Sequence, residues 1–178
     1  MTMPKWHQTM KPMLEALAKS DGLALRDLME FLVEVFQMSP EEQEERLASG
    51  ELRLYNRLTW GAFDLKRAGY VDTVRRGLYK ITDEGRAFLS SHPGPITDVD
   101  LYDSSESFRE WKDGYLKAGK TREHSIAENT ELLDSPQESI EEATRELRSA
   151  LVDDLLLTIM DQSPYFFEHL VGRLLKAM

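Results

Sequence analysis

One predicted helix carries side chains with the chemistry needed to contact DNA bases. Residues 52–68 place apolar residues at helical spacing, and the opposite side carries arginine, asparagine, threonine and aromatic residues. In the major groove, arginine bonds to guanine, asparagine bonds to adenine, and threonine contacts the methyl group of thymine. We therefore predict a DNA-binding face formed by Arg53, Asn56, Thr59, Trp60 and Arg67, with Arg57 at its flank.

Two other interpretations of this face remain open. Trp60 belongs with Phe63 to a pair of large aromatic residues, and such residues are more often buried in a core than exposed to a ligand. The arginine and asparagine positions also suit a helix face that contacts only solvent.

A basic turn follows this helix. Two short runs rich in β-branched and aromatic residues, typical of strands, lie on either side of Arg75, Arg76 and Gly77. The sequence therefore predicts a β-hairpin with a cationic tip, and we expect Arg75, Arg76 and the following Lys80 to contact phosphate groups. A helix followed by such a hairpin is typical of a winged helix-turn-helix.

The sequence contains few residues or motifs that are typical of enzymes. The chain contains no cysteine, which excludes disulfides, thiol nucleophiles and cysteine-based zinc sites. The four histidines are isolated and lack the spacing of metal ligands, and no glycine-rich phosphate loop or serine nucleophile motif occurs. We expect no catalytic residue, no metal site and no cofactor in this chain.

The hydrophobic pattern predicts a mostly α fold with a small β-hairpin (α+β). A Pro-Gly-Pro stretch at residues 93–95 marks a domain boundary. We expect a winged-helix domain at residues 1–92, a charged linker with a short aromatic helix at 93–134, and two helices at 135–178. The predicted helices cover residues 10–18, 25–36, 39 to about 50, 52–68 and 83–89, then a long helix from 135 and a last one at 165–178.

The charge is unevenly distributed along an acidic chain of net charge −10. An acidic surface repels DNA, but residues 53–86 hold eight basic and four acidic residues, a local balance of +4. Residues 93–178 hold nine basic and eighteen acidic residues, a balance of −9. The sequence has neither a signal peptide pattern nor an apolar run long enough to span a membrane, so we expect a soluble cytoplasmic protein.

Two segments resemble the Mrr family of modification-dependent restriction endonucleases. Residues 55–89, YNRLTWGAFDLKRAGYVDTVRRGLYKITDEGRAFL, with SPEEQEERLASG before them, resemble the family's N-terminal winged-helix domain. Residues 139–178 resemble the lead-in to its catalytic domain, whose first helix carries a Ser-Pro-x-x-Phe-Glu-x-Leu-Val-x-x-Leu-Leu pattern. The resemblance implies a module that binds double-stranded DNA, including methylated DNA.

The sequence departs from the family pattern at its end. In the family, a PD-(D/E)xK nuclease core that holds Mg²⁺ follows this helix, and none of its motifs occurs here. Glu168 matches an acidic residue of the family's first catalytic helix, but a single carboxylate does not form a hydrolytic metal centre. The resemblance therefore implies DNA binding for this chain, and Mg²⁺-dependent cleavage only for a longer, complete parent.

Two alternative functions stay open beside DNA binding. The apolar residues of the last helix cover about half of its circumference, which favours a winged-helix interaction module that forms homo-oligomers through its C-terminal helices. A transcriptional regulator with a small-molecule effector is the other alternative, since one fold serves many functions.

Overall fold

The computed structural model describes residues 3–75, 77–120, 135–160 and 162–177. These residues form two compact units, Met1–Ser135 (unit 1) and Pro136–Met178 (unit 2). The helices are α1 (Met10–Ala18), α2 (Leu25–Val35), α3 (Pro40–Gln43), α4 (Arg53–Arg67), α5 (Asp83–Ser91), α6 (Asp98–Ser104), α7 (Glu106–Lys120), α8 (Pro136–Met160) and α9 (Pro164–Ala177). A 3-10 turn, Trp6–Thr9, precedes α1. The predicted mostly α fold with a small β component is confirmed.

The small sheet has one strand more than the sequence predicted. The strands are β1 (Leu23–Ala24), β2 (Val71–Arg75) and β3 (Leu78–Ile81), and they pair antiparallel in the order β1-β3-β2. The hairpin of β2 and β3 matches the prediction. The strand β1 pairs two residues with β3, which is too short a segment to show an alternating pattern in the sequence.

The helix expected after Ser39 is shorter than predicted, because it ends at Gln43. Its predicted capping box is confirmed: Ser39 Oγ accepts a hydrogen bond from the Glu42 N–H, and the Glu42 carboxylate accepts one from the Ser39 N–H. Beyond Gln43 the chain turns back on itself, and Arg46 and Leu52 form an isolated antiparallel β-bridge. The bridge requires extended backbone at both residues, so the helix cannot continue through this segment.

The core of unit 1 forms where α1, α2 and α4 meet one another, with α5 and the sheet closing one side. The helices α6 and α7 also contact α4 and contribute to this core. Thus Phe108 of α7 is buried, as expected for an apolar residue at helical spacing. The largest fully buried side chains are Met10, Met13, Leu14, Leu17, Leu28, Leu32, Leu54, Leu58, Leu65, Ile96, Leu101 and Phe108.

Unit 2 consists of two helices whose described apolar side chains are largely exposed. In α8, Leu147 is 73% exposed, and in α9, Leu175 is 70% exposed. Amphipathic helices normally bury such residues against another element. The exposed large apolar residues of unit 2 are Ile140, Leu147, Leu151, Val152, Leu155, Leu156, Met160, Tyr165, Phe166, Phe167, Val171, Leu174 and Leu175.

Candidate nucleic-acid interface

The helix α4 packs its apolar side into the core and is held in a fixed orientation. Leu58 and Leu65 are fully buried, and Gly61 lies against the 3-10 turn and α1. A Cβ atom at Gly61 would lie 2.5 Å from Thr9 Oγ1 and 3.2 Å from the Trp6 carbonyl oxygen. The backbone of α4 therefore approaches its neighbours closely, and this contact fixes which side of the helix faces outward.

The outward side of α4 is a polar stripe formed by Tyr55, Thr59 and Lys66, all exposed. Residues separated by four and seven positions lie on the same side of an α-helix. The Thr59 hydroxyl donates a hydrogen bond to the Tyr55 carbonyl oxygen at 2.8 Å. We call these three residues the α4 stripe.

The α4 stripe lies next to the β2–β3 hairpin. Lys66 Nζ donates a hydrogen bond to Thr73 Oγ1 of β2 at 2.9 Å. In β3, burial raises the pKa of the Tyr79 hydroxyl, and the nearby Tyr55 raises it further. Because Thr73 and Tyr79 face each other across the ladder, their side chains share one face of the sheet, and this face turns toward α4.

The structure places the three predicted hairpin cations differently. Arg75 is exposed at the end of β2, beyond a β-bulge that interrupts the ladder between Thr73 and Arg75. Lys80 is exposed but lies opposite Asp72 in the ladder, and alternation puts both on the face away from Thr73 and the α4 stripe. Arg76 lies outside the described residues.

Asn56 does not lie on an exposed face, contrary to the prediction for this position. Its side chain is only 4% exposed. Asn56 Nδ2 donates a hydrogen bond to the Glu51 carboxylate at 2.7 Å, and Asn56 Oδ1 accepts one from Ser135 Oγ at 2.6 Å. Both the nitrogen and the oxygen of the amide thus form hydrogen bonds within unit 1. The bond to Ser135 holds this residue against α4.

Arg57 is also buried, at 5% exposure, where the sequence predicted the flank of an exposed face. Its Nη1 donates hydrogen bonds to the carbonyl oxygens of Pro4, at 2.8 Å, and Met3, at 3.4 Å. Helical geometry puts Arg57 next to the apolar side, and the N-terminal segment covers it there. The side chain fixes this segment to α4.

The remaining predicted residues of α4 are partly covered by neighbouring elements. Trp60 is half-buried and contacts Phe63 edge to face, with 5.7 Å between the ring centroids. The exposed Arg67 lies over the rings of Phe63 and Trp111 of α7, at 5.1 and 5.6 Å from their centroids. At the start of the helix, Arg53 Nε lies 3.1 Å from the carboxylate of Glu45.

A cluster of charged side chains joins α4 to the helices α6 and α7. Lys112 of α7 forms an ion pair with Asp98 of α6 at 2.6 Å. Asp64 of α4 is buried close to this pair. Burial raises the pKa of Asp64 to about 7; the Lys112 ammonium opposes this shift, whereas the Asp98 carboxylate adds to it.

Sequence reasoning missed two members of the exposed stripe, Tyr55 and Lys66. Tyr55 lies one turn before Thr59 and Lys66 two turns after it, so both share a side of the helix with a residue of the predicted face. The side opposite the apolar stripe is not fully exposed, because α7 packs over part of it. The exposed stripe is therefore displaced around the helix toward the hairpin.

The described part of the chain offers no metal site and no membrane span. Within it, no group of three or more histidine, aspartate or glutamate side chains is placed to hold a metal ion. No helix in the same residues is both long and apolar enough to cross a bilayer.

Comparison with known proteins assigns a family to the N-terminal unit. Residues 6–91 match the family model described as the Mrr N-terminal domain. The chain is also 29% identical over 180 residues to the type IV methyl-directed restriction enzyme EcoKMrr of Escherichia coli (strain K12). That alignment covers 96% of this chain and 58% of the relative, so this chain spans a little more than half of the relative's length. No solved structure matches the chain.

Proposed function

Because the chain is an Mrr-family protein, we propose that unit 1 is a winged-helix module that binds double-stranded DNA. The order of its elements supports this assignment: a helix, a short strand, two helices and the recognition helix α4, then a hairpin. The three-stranded antiparallel sheet has β3 in its middle, and β2 contacts α4, so the hairpin lies beside this helix. Winged-helix proteins use a helix of this kind in the major groove and the hairpin on the backbone.

The observation that carries the proposal is the contact between Lys66 and Thr73. It joins the exposed side of α4 to the sheet face of the hairpin. This supports the proposal that one continuous surface offers polar side chains to bases and a cation to phosphates. We expect the exposed Tyr55 and Thr59 to contact base edges. We expect Lys66 to contact phosphates from the same surface. Arg75 pairs with Leu78 and therefore shares the sheet face of Lys80, so we expect it to reach phosphates from the exposed end of the hairpin.

The proposed interface differs from the one that the sequence suggested. Asn56 and Arg57 serve as internal hydrogen-bonding residues, and Lys80 lies on the other face of the hairpin. Arg53 and Arg67 flank the interface, where long cationic side chains can reach phosphate groups while their stems stay packed. Trp60 supports the interface from its half-buried position.

We also propose that the longer parent protein is a DNA endonuclease that selects methylated DNA. The support is the similarity to the Escherichia coli relative, which is a methyl-directed restriction enzyme. In such a parent, a complete nuclease domain would supply the Mg²⁺ ligands that the described residues lack. The role proposed for the present chain is to position that domain on DNA.

A charge-reversal experiment tests the DNA-binding surface. Affinity of the full chain for a fluorescent duplex is measured by anisotropy across a salt series, with methylated and unmethylated duplexes in parallel. We expect Lys66→Glu and Arg75→Glu each to lower the affinity about tenfold and to reduce the slope of log affinity against log salt by about one, since each removes a phosphate contact.

Lys80→Glu is the matched control for this experiment. It changes the net charge by the same amount as Lys66→Glu, but on the face of the hairpin away from the α4 stripe, and it lies farther from the hairpin tip than Arg75. We expect it to weaken binding less than the other two reversals. Equal affinities and equal salt slopes for the wild type, Lys66→Glu and Arg75→Glu would refute the proposed surface.

We further propose that unit 2 mediates homo-oligomerisation. The observation is the set of exposed apolar side chains on α8 and α9, among them Leu147 and Leu175. Apolar surface of this extent on two adjacent helices favours association, because burial removes it from water. Oligomerisation would also bring two DNA-binding units to one duplex.

A further inference from the structure

A cleft separates α2 from the first residues of α4 in unit 1, and none of its lining residues belongs to the proposed DNA-binding surface. Its volume is about 360 Å³. The apolar part of its lining consists of Met29 and Val33 of α2 together with Leu52 and Leu54. Leu54 is buried in the core, whereas the other three are half-buried, so the cleft exposes apolar atoms above a rigid floor.

The rim of this cleft is acidic. Glu30 and Glu34, one turn apart on α2, line one side, and Glu44 lines the other. The described residues that line the cleft include no lysine or arginine. Glu30 is bonded to Arg26, and Glu44 to Arg46, but these pairs are exposed and therefore weak, so an incoming cation can compete with them.

The acidic rim and the small apolar cleft together indicate which class of ligand can bind. Three carboxylates around a small cleft repel the phosphates of nucleic acid and attract cations. The volume lies near the lower end of the range of about 300–1,000 Å³ that is usual for ligand pockets, so it accommodates one or two side chains rather than a whole helix. A large apolar side chain placed between basic residues satisfies both requirements.

We propose that this cleft is a protein docking site for a segment of a partner protein that inserts an apolar side chain and pairs its flanking lysine or arginine residues with Glu30, Glu34 and Glu44. The apolar anchor would contact Val33 and Leu52, which supplies most of the binding free energy in sites of this kind. The acidic rim sets the orientation of the bound segment and increases the rate of association. The site shares no residue with the proposed DNA-binding surface, although Arg53, which flanks that surface, lies between Leu52 and Leu54 in the sequence.

A cationic amphipathic peptide of leucine and lysine, labelled with fluorescein, is the probe for this site. Its binding to the full chain is followed by anisotropy, and its position by chemical-shift changes of backbone amides. We expect the largest shifts at Met29, Val33 and Leu52. The double variant Glu30→Gln/Glu34→Gln weakens binding about fivefold or more, because it removes two ion pairs of the rim.

The variant Glu106→Gln/Glu110→Gln is the matched control, since it neutralises two exposed carboxylates at the same spacing on α7. It should bind the peptide as tightly as the wild type. Peptides with serine in place of leucine, or glutamate in place of lysine, should bind weakly. Equal affinities of the two double variants would overturn the proposal, as would shifts that map elsewhere. A change in molar mass on neutralising the rim would instead identify an interface between copies and would also overturn it.

Discussion

At the scale of the residue, Asp64 is the clearest case of a side chain whose state depends on its surroundings. It is buried on α4 near the Lys112–Asp98 ion pair, and its pKa is raised to about 7. Folded Asp64 therefore keeps a proton up to about pH 7, whereas in the unfolded chain it loses the proton near its ordinary pKa of 3.8. Between these pH values the folded protein binds the extra proton, so this residue's contribution to stability falls as the pH rises.

Asp64→Asn removes this dependence, because the amide is neutral at every pH. We expect the free energy of unfolding of the variant, relative to the wild type, to increase between about pH 4 and pH 7, by at most about 1.4 kcal/mol for each pH unit. Urea unfolding of both proteins at several pH values measures this difference. If the free energies of unfolding of the two proteins differ by the same amount at every pH between 4 and 7, Asp64 is ionised in the folded protein.

At the scale of the element, the contact between α5 and the start of the hairpin depends on a glycine. A Cβ atom at Gly85 would lie 2.1 Å from the carbonyl oxygen of Tyr70 and 2.9 Å from its carbonyl carbon. Both atoms belong to the backbone, so a rotation of side chains cannot relieve the clash. The helix can approach the strand this closely only without a side chain at this position.

Gly85→Ala is therefore expected to destabilise the protein by about 1–3 kcal/mol, the usual cost of overpacking a rigid contact. Gly114→Ala is the matched control: Gly114 is helical in α7, and a Cβ atom there would meet no described atom within 4 Å. That change should stabilise the helix by up to about 1 kcal/mol. Urea unfolding measures both, and a loss of stability at Gly114 or none at Gly85 would contradict the packing described.

At the scale of the whole molecule, the two units present different surfaces. Unit 1 has a buried core and exposes mainly polar side chains, whereas unit 2 exposes the apolar faces of α8 and α9. Homo-oligomerisation through unit 2 predicts a molar mass above that of one chain. Light scattering over a concentration series measures it, and Leu147→Glu with Leu175→Glu should shift the chain toward monomer by placing charges in the apolar contact.

The control for this pair is Glu146→Lys, a charge reversal at an exposed position of α8 whose neighbours three and four residues away are not large apolar side chains. It should leave the molar mass of the assembly unchanged. A wild-type chain that is monomeric at high concentration, or an assembly that the leucine substitutions do not affect, would contradict the proposed role of unit 2.

The sequence alone was sufficient to predict the family and most of the local elements, although it missed β1 and extended α3 beyond Gln43. Periodicity located α1, α2, α4 and α5 to within about two residues, and the Ser39 capping box marked the start of α3 correctly. The hairpin followed from its residue types on either side of Gly77, which has a positive φ of 77°. These features depend on residues that are close together in the chain, so their pattern is visible before any folding is known.

Only the tertiary structure decided which side of α4 faces outward. The burial of Asn56 and Arg57 results from contacts with Ser135 and with Pro4, which are far from α4 in the sequence. The position of the Arg67 guanidinium over the Trp111 ring likewise depends on the packing of α7. A helical pattern shows which residues share a face, but the exposed face depends on which distant segments pack against it, and the pattern contains no information about them.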